Sequence, residues 1–189
     1  MPYALAAAAF VLSAVVVPPQ PVTVEVLGVA GSGCGAGTTI VSMSQDGAAF
    51  TVTYSDFVVL AHGSDARKTC ELTIRVNHPD GYTYGIAETS FRGFAQLEAG
   101  SKGTERASYF FANQAPTEHS PHTFAGPMTD NWQAVDRPAS VVHGPCRERR
   151  PLTVKAELKV TGKSATSFMA MDSTDGKVSA DFRLSWQKC

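Results

Sequence analysis

Helix signals are what this 189-residue chain most lacks. No stretch of three turns repeats apolar residues at helical spacing, which excludes helical bundles and strand–helix alternation. Charge is also scarce. Charged residues make up 17% of the sequence, below the roughly 25% usual for soluble domains. Sixteen basic and 17 acidic residues leave a formal charge of −1. Without a basic field, neither nucleic acid nor an anionic membrane surface is an expected partner. The basic run Arg147, Arg149, Arg150 is broken by Glu148 and reads as a solvated loop.

Catalytic and cofactor signatures are missing too. There is no G-x-S-x-G elbow and no catalytic-cysteine motif. Gly31, Gly33, Gly35 and Gly37 surround Cys34, but no Gly-Lys-Ser/Thr opens a helix after them, and no strand–helix–strand unit holds them. Room for two backbones brought together by a disulfide explains these glycines better. Met171-Asp-Ser-Thr-Asp-Gly-Lys177 departs from the calcium-loop pattern. Asp172 and Asp175 read instead as turn residues bonding nearby backbone. His119 and His122 lie three apart with Pro121 between them. In a strand or loop that spacing points them to opposite sides, so no metal site and no cofactor is expected. His62, His78 and His143 each sit near a strand end.

Long apolar runs are limited to one. Positions 4–17 are apolar except for Ser13, and Pro18-Pro19-Gln20-Pro21 follows. Fourteen residues are too few to span a bilayer, which takes roughly 20, but they match a signal-peptide core. One signal-peptide feature is missing, since no Lys or Arg precedes the run and the first is Arg67; length, apolarity and the proline cluster carry the reading. Residues 1–20 are therefore read as a signal peptide with a proline-rich start, cleaved near Ala14. Residues 21–189 are read as one secreted domain with no stable membrane insertion after cleavage.

Four cysteines, Cys34, Cys70, Cys146 and Cys189, stand behind this segment. The nearest two are 36 residues apart, far from metal-ligand spacing. Two disulfides are expected, with three connectivities open. Pairing Cys34 with Cys70 and Cys146 with Cys189 staples each half locally and is favoured. Each bond closes a loop of about 40 residues, worth about 4 kcal/mol in the chain-entropy model.

What the chain has in quantity is alternation. Leu152, Val154, Ala156, Leu158 and Val160 alternate with polar residues, as do Val178, Ala180, Phe182, Leu184 and Trp186, and Cys70, Leu72, Ile74 and Val76. A period of two gives each strand one buried and one wet face, as in antiparallel sheets. Further strands are expected over 22–29, 38–43, 49–54, 57–61, 82–89, 91–97, 108–112 and 141–143. Asp46-Gly47, Asp80-Gly81, Arg92-Gly93 and Asp175-Gly176 are read as turns between strands. Gly100 and Gly103 mark 97–107 as loop, and the polar stretch 114–136 reads as irregular, with a short strand around 123–124. The fold class is all-β, an antiparallel sandwich with two disulfides, or a barrel. Tyr82, Tyr84, Phe91, Phe94, Tyr109, Phe110 and Phe111 cluster in the middle third. Phe110 and Phe111 must face opposite sides of a strand, so part of this group is a candidate binding patch, with Tyr82, Tyr84 and Tyr109 its nominated residues.

Certain segments resemble a known family. They are Gly31-Ser-Gly-Cys34, Arg67-Lys-Thr-Cys70-Glu-Leu72, Pro79-Asp-Gly-Tyr82, Phe91-Arg-Gly-Phe94-Ala-Gln-Leu97, Tyr109-Phe110-Phe111, Thr123-Phe-Ala-Gly-Pro127, Asp172-Ser-Thr-Asp-Gly-Lys-Val178 and Trp186-Gln-Lys-Cys189. In order, and with all four cysteines, they resemble DUF4360, a family of small secreted fungal and actinomycete proteins whose domain has no assigned function. The resemblance implies secretion and supplies no catalytic residues. The leading expectation is a non-enzymatic extracellular module that binds a cell-surface or matrix component. Its partner would be a cell-wall or extracellular polysaccharide, or a secreted protein. One alternative is a secreted hydrolase built from Asp172, Asp175, His119, His122 or His143. Another is an inhibitor or effector acting through 114–136.

Overall fold

The computed structural model describes residues 16, 18–19, 21–62, 64–162, 165–171 and 180–189. Among them are thirteen strands and no helix. In chain order they are β1 Thr23–Ala30, β2 Thr39–Met43, β3 Ala49–Tyr54, β4 Val58–Leu60, β5 Ala66–Asn77, β6 Tyr82–Leu97 and β7 Lys102–Phe111. There follow β8 Thr117–Glu118, β9 His122–Ala125, β10 Met128–Asp136, β11 Leu152–Thr161, β12 Phe168–Ala170 and β13 Ala180–Lys188. They form two antiparallel sheets. The first runs β1-β5-β11-β7-β8, with β9 also paired to β7; the second runs β2-β3-β13-β6-β12-β4, with β10 also paired to β6. The sheets do not close into a barrel, so the sandwich reading holds.

The alternation sets the core. Along β11, Leu152, Val154, Ala156, Leu158 and Val160 are buried while Lys155 is exposed. Opposite them, Phe50 and Phe182 stack at 4.6 Å between ring centroids, and Phe91 meets Phe182 edge-on at 5.6 Å. Both indoles satisfy their N–H inside: Trp186 Nε1 donates to the Gly47 carbonyl at 2.9 Å, and Trp132 Nε1 to the Ala170 carbonyl at 3.1 Å. The disulfides join Cys34 to Cys70 and Cys146 to Cys189, with Cα separations of 5.3 and 5.7 Å, as favoured.

Several expectations need correction. Arg92-Gly93 is no turn: β6 runs unbroken through it. A side chain on Gly93 would stand 1.8 Å from the Ala170 carbonyl oxygen, so close backbone approach requires this glycine. Residues 102–107 belong to β7 and not to a loop. Gly103 lies on its buried phase, where a Cβ would meet Met169 Sδ at 2.9 Å. The stretch 114–136 is mostly strand, and its nine-residue β10 pairs with β6 along its whole length. Only Trp132 and Ala134 of β10 are fully buried, which is why its pattern reads as polar. A protruding inhibitory loop is therefore not what this stretch forms. Residues 141–143 contribute a single bridge, Gly85 to His143. The aspartates Asp172 and Asp175, and the Asp175-Gly176 turn, lie outside the described residues.

Candidate functional site

Strand β7 organises two groups of chemically active side chains, one on each face. On the solvent face of the first sheet, a groove of about 380 Å3 lies over β5, β11 and β7. Antiparallel register places Lys155 between Glu71 and Ser108, and Glu157 between Thr69 and Arg106. The inward row between them is Cys70, Ala156 and Ala107. The segment after β1 forms the rim, with the Gly33 N–H donating to the Thr69 carbonyl at 2.8 Å and the Thr69 N–H donating to Ser32 Oγ at 3.2 Å. Gly31 is obligatory there. Its φ is +137°, and a Cβ would stand 2.1 Å from the Thr69 carbonyl oxygen. The glycine cluster around Cys34 thus makes room beside a disulfide, as its sequence suggests.

The groove is lined with paired charges. Arg67 Nε lies 2.6 Å from Glu157 Oε2, and Lys155 Nζ lies 2.9 Å from Glu71 Oε2. Lys155 also sits 5.6 Å above the ring of Phe110, which is half-buried on this face while Phe111 points into the core. Arg106 faces the same groove with no carboxylate within ion-pair distance among the described residues. Three cations and two carboxylates offer hydrogen-bond donors and acceptors side by side on a fixed strand floor.

On the inner face of β7, alternation buries Gly103, Glu105, Ala107, Tyr109 and Phe111. Glu105 is 0% exposed, and neither carboxylate oxygen has a hydrogen-bond partner. Burial pushes its carboxyl up to about 8, with the negative charge of Asp136 adding to the effect. Asp136 ends β10 and reaches across the sandwich edge to two imidazoles. His122 Nε2 donates to its Oδ2 at 3.0 Å, and His119 Nδ1 lies 3.8 Å from its Oδ1. Burial holds His119 below its ordinary value; Asp136 opposes this and His122 reinforces it. The Tyr109 ring lies 5.4 Å from the His119 ring, and burial together with Asp136 pushes its phenol up to about 12.

His119 and His122 therefore do not point apart. They leave from the link between β8 and β9 and from the first residue of β9, so no single regular strand sets their directions. Among the described residues, no three His, Cys, Asp or Glu side chains converge as a metal ion needs. His143 stands apart at its bridge to Gly85, and His78 packs edge-on against Tyr84 and Trp186.

Of the tyrosines, Tyr82 is half-buried against the core, while Tyr84 and Tyr109 are buried at 2% and 3% exposure. Tyr84 packs against Phe111 and Trp186, and the Tyr109 hydroxyl donates to the Ile86 carbonyl at 3.5 Å. Arg106, Lys155, Glu105 and Asp136 were not singled out in the sequence. For Glu105 a signal existed, an acid on the apolar phase of an alternating run, hidden because 97–107 reads as loop.

Fold and site together define a disulfide-stapled antiparallel sandwich with a polar groove on one sheet. The chain belongs to the DUF4360 family (domain of unknown function), whose model matches residues 20–189. It is 27% identical over 181 residues to an uncharacterized secreted protein of Arthroderma benhamiae, covering 90% of this chain and 74% of that one. The protein is secreted. Among solved structures it is similar to TmCBM61 in complex with β-1,4-galactotriose, at 13% identity, 90% coverage of each chain and a TM-score of 0.30. It is also similar to the enzymatically active domain of bacteriophage CBA120 tailspike protein 4, at 10% identity, covering 86% of this chain and 19% of that one, with a TM-score of 0.28. At these scores neither likeness bears on fold or ligand.

Proposed function

We propose that this secreted protein is a non-enzymatic binding module for an extracellular polysaccharide, held in the groove over β5, β11 and β7. The observation that carries the reading is the lining itself. Ion-paired Arg67–Glu157 and Lys155–Glu71 project from the sheet into an open groove together with Arg106, for which the described residues offer no carboxylate within ion-pair distance. Hydroxyl-rich chains are recognised by such charged donors and acceptors, and Phe110, beneath Lys155 on the same sheet face, supplies apolar surface for a sugar face. The sheet holds these groups without the ordering entropy that a loop-built site would lose on binding. Of the residues a secreted hydrolase would draw on, Asp172 and Asp175 lie outside the described residues, and His119, His122 and His143 do not line the groove.

Soluble fragments of β-glucan, chitin, cellulose and peptidoglycan, titrated into isotope-labelled protein, test the reading. Shift perturbations centred on Arg67, Arg106, Ser108 and Lys155 are expected for one of them. Perturbations centred on another face, or none with any fragment, would overturn it.

A further inference from the structure

The buried acid of β7 has no part in the groove, yet its neighbour Arg106 is a groove residue. We infer that the cluster of Glu105, Asp136, His119 and His122 is a proton-operated latch that holds β7 and β9 against β10 while Glu105 keeps its proton, and loosens that edge when the proton leaves. The consequence for ligand rests on the groove reading above; the latch itself does not.

The geometry places the cluster at a seam. β9 pairs with β7 in one sheet, with Glu105 directly opposite His122, and β10 pairs with β6 in the other. Asp136 is the carboxylate of β10 that reaches the histidines across this seam. The charged and titratable groups that bear on Glu105 are Asp136 from β10, Tyr54 from β3 and its register partner His122 from β9; His119, from the β8–β9 link, joins them through Asp136, and Tyr109 shares the inner face of β7. On β11 its register partner is Leu158, which is apolar. No described side chain neutralises the Glu105 carboxylate, so its anion would stand in the core beside Asp136. A buried unpaired charge is relieved by opening toward water. The elements that can open are short: β8 has two residues and β9 has four.

The sign follows from linkage. Burial pushes the Glu105 carboxyl up to about 8 in the folded chain, against about 4.5 for the exposed acid. The folded state therefore holds the extra proton between these values. Stability from this group is complete below about pH 4.5 and is lost as pH rises through about 8. His119 acts oppositely, since its lowered value makes stability fall as pH drops below 6.5. Above pH 7 the slope belongs to Glu105.

The test uses the purified, oxidised full chain. Carbon-13 NMR of the Glu105 side-chain carboxyl reads its titration directly, and amide exchange, corrected for intrinsic rates, reads local opening of β7–β9. A carboxyl midpoint near 8 is expected, with local opening rising about fivefold from pH 7 to pH 8 and levelling beyond. In Glu105→Gln that rise should vanish while the rest of the sandwich is unchanged. A carboxyl midpoint near 4.5, or the same pH dependence in Glu105→Gln, would overturn the latch; should the variant not fold, the NMR titration alone decides. Retention on insoluble β-glucan, chitin, cellulose and peptidoglycan at pH 6 and pH 9 separates the two readings. No retention at either pH counts against the groove alone, whereas equal retention at both with a Glu105 midpoint near 8 removes the latch's hold on the ligand.

Discussion

One strand carries two charged side chains in successive positions, and the fold treats them oppositely. Arg106 stands in an open groove among ion pairs, screened by water. Glu105, one residue earlier, is sealed between the sheets with both oxygens unsatisfied. The same alternation that gives β7 a wet and a dry face makes one charge available for recognition and the other a strain on the core. Position within a pleat thus decides whether a charge contributes specificity or sensitivity to pH.

Substitutions can sharpen or break this contrast. The largest effect belongs to the inner face. Tyr84→Ala removes a ring fully packed against Phe111 and Trp186 and should cost about 3–5 kcal/mol in denaturant unfolding. A loss under about 1 kcal/mol would mean that Tyr84 is not a core residue. Next comes the staple behind the groove rim. Replacing Cys34 and Cys70 together by serine should cost about 4 kcal/mol and reduce groove binding, as calorimetry and retention on the bound polysaccharide would show. Asp136→Asn leaves His119 and His122 without their carboxylate and should cost about 1–3 kcal/mol. Removing the charge that raises His119 should also move its titration further down, visible in its imidazole NMR shifts. The smallest stability effect is on the outer face. Arg106→Ala should change stability by no more than about 0.5 kcal/mol while weakening polysaccharide binding roughly tenfold, through loss of about 1.5 kcal/mol from a charged hydrogen bond.

The sandwich and its staples were legible because period-two alternation and cysteine spacing are local facts. β11 and β13 could be read directly, and the strand 49–54 was placed to the residue. Where glycine served close packing, at Gly93 and Gly103, its turn-forming habit misled, because the contact it permits lies with Ala170 or Met169, far along the chain. β10 escaped because an edge strand needs few buried residues. The site was less legible still. Phe110 could be assigned opposite to Phe111, but the groove depends on cross-strand register among β5, β7 and β11. Asp136 meets His119 and His122 only through the seam between two sheets. Tyr84 and Tyr109 drew attention as aromatics, and the tertiary fold placed both inside.

The most direct test of the groove compares wild-type protein with Arg106→Ala on insoluble peptidoglycan, chitin, cellulose and β-glucan at pH 6. Saturable retention of wild type on one of these, roughly tenfold weaker in the equally stable variant, is the predicted result. Equal retention of the two proteins, or retention of neither, would contradict the account.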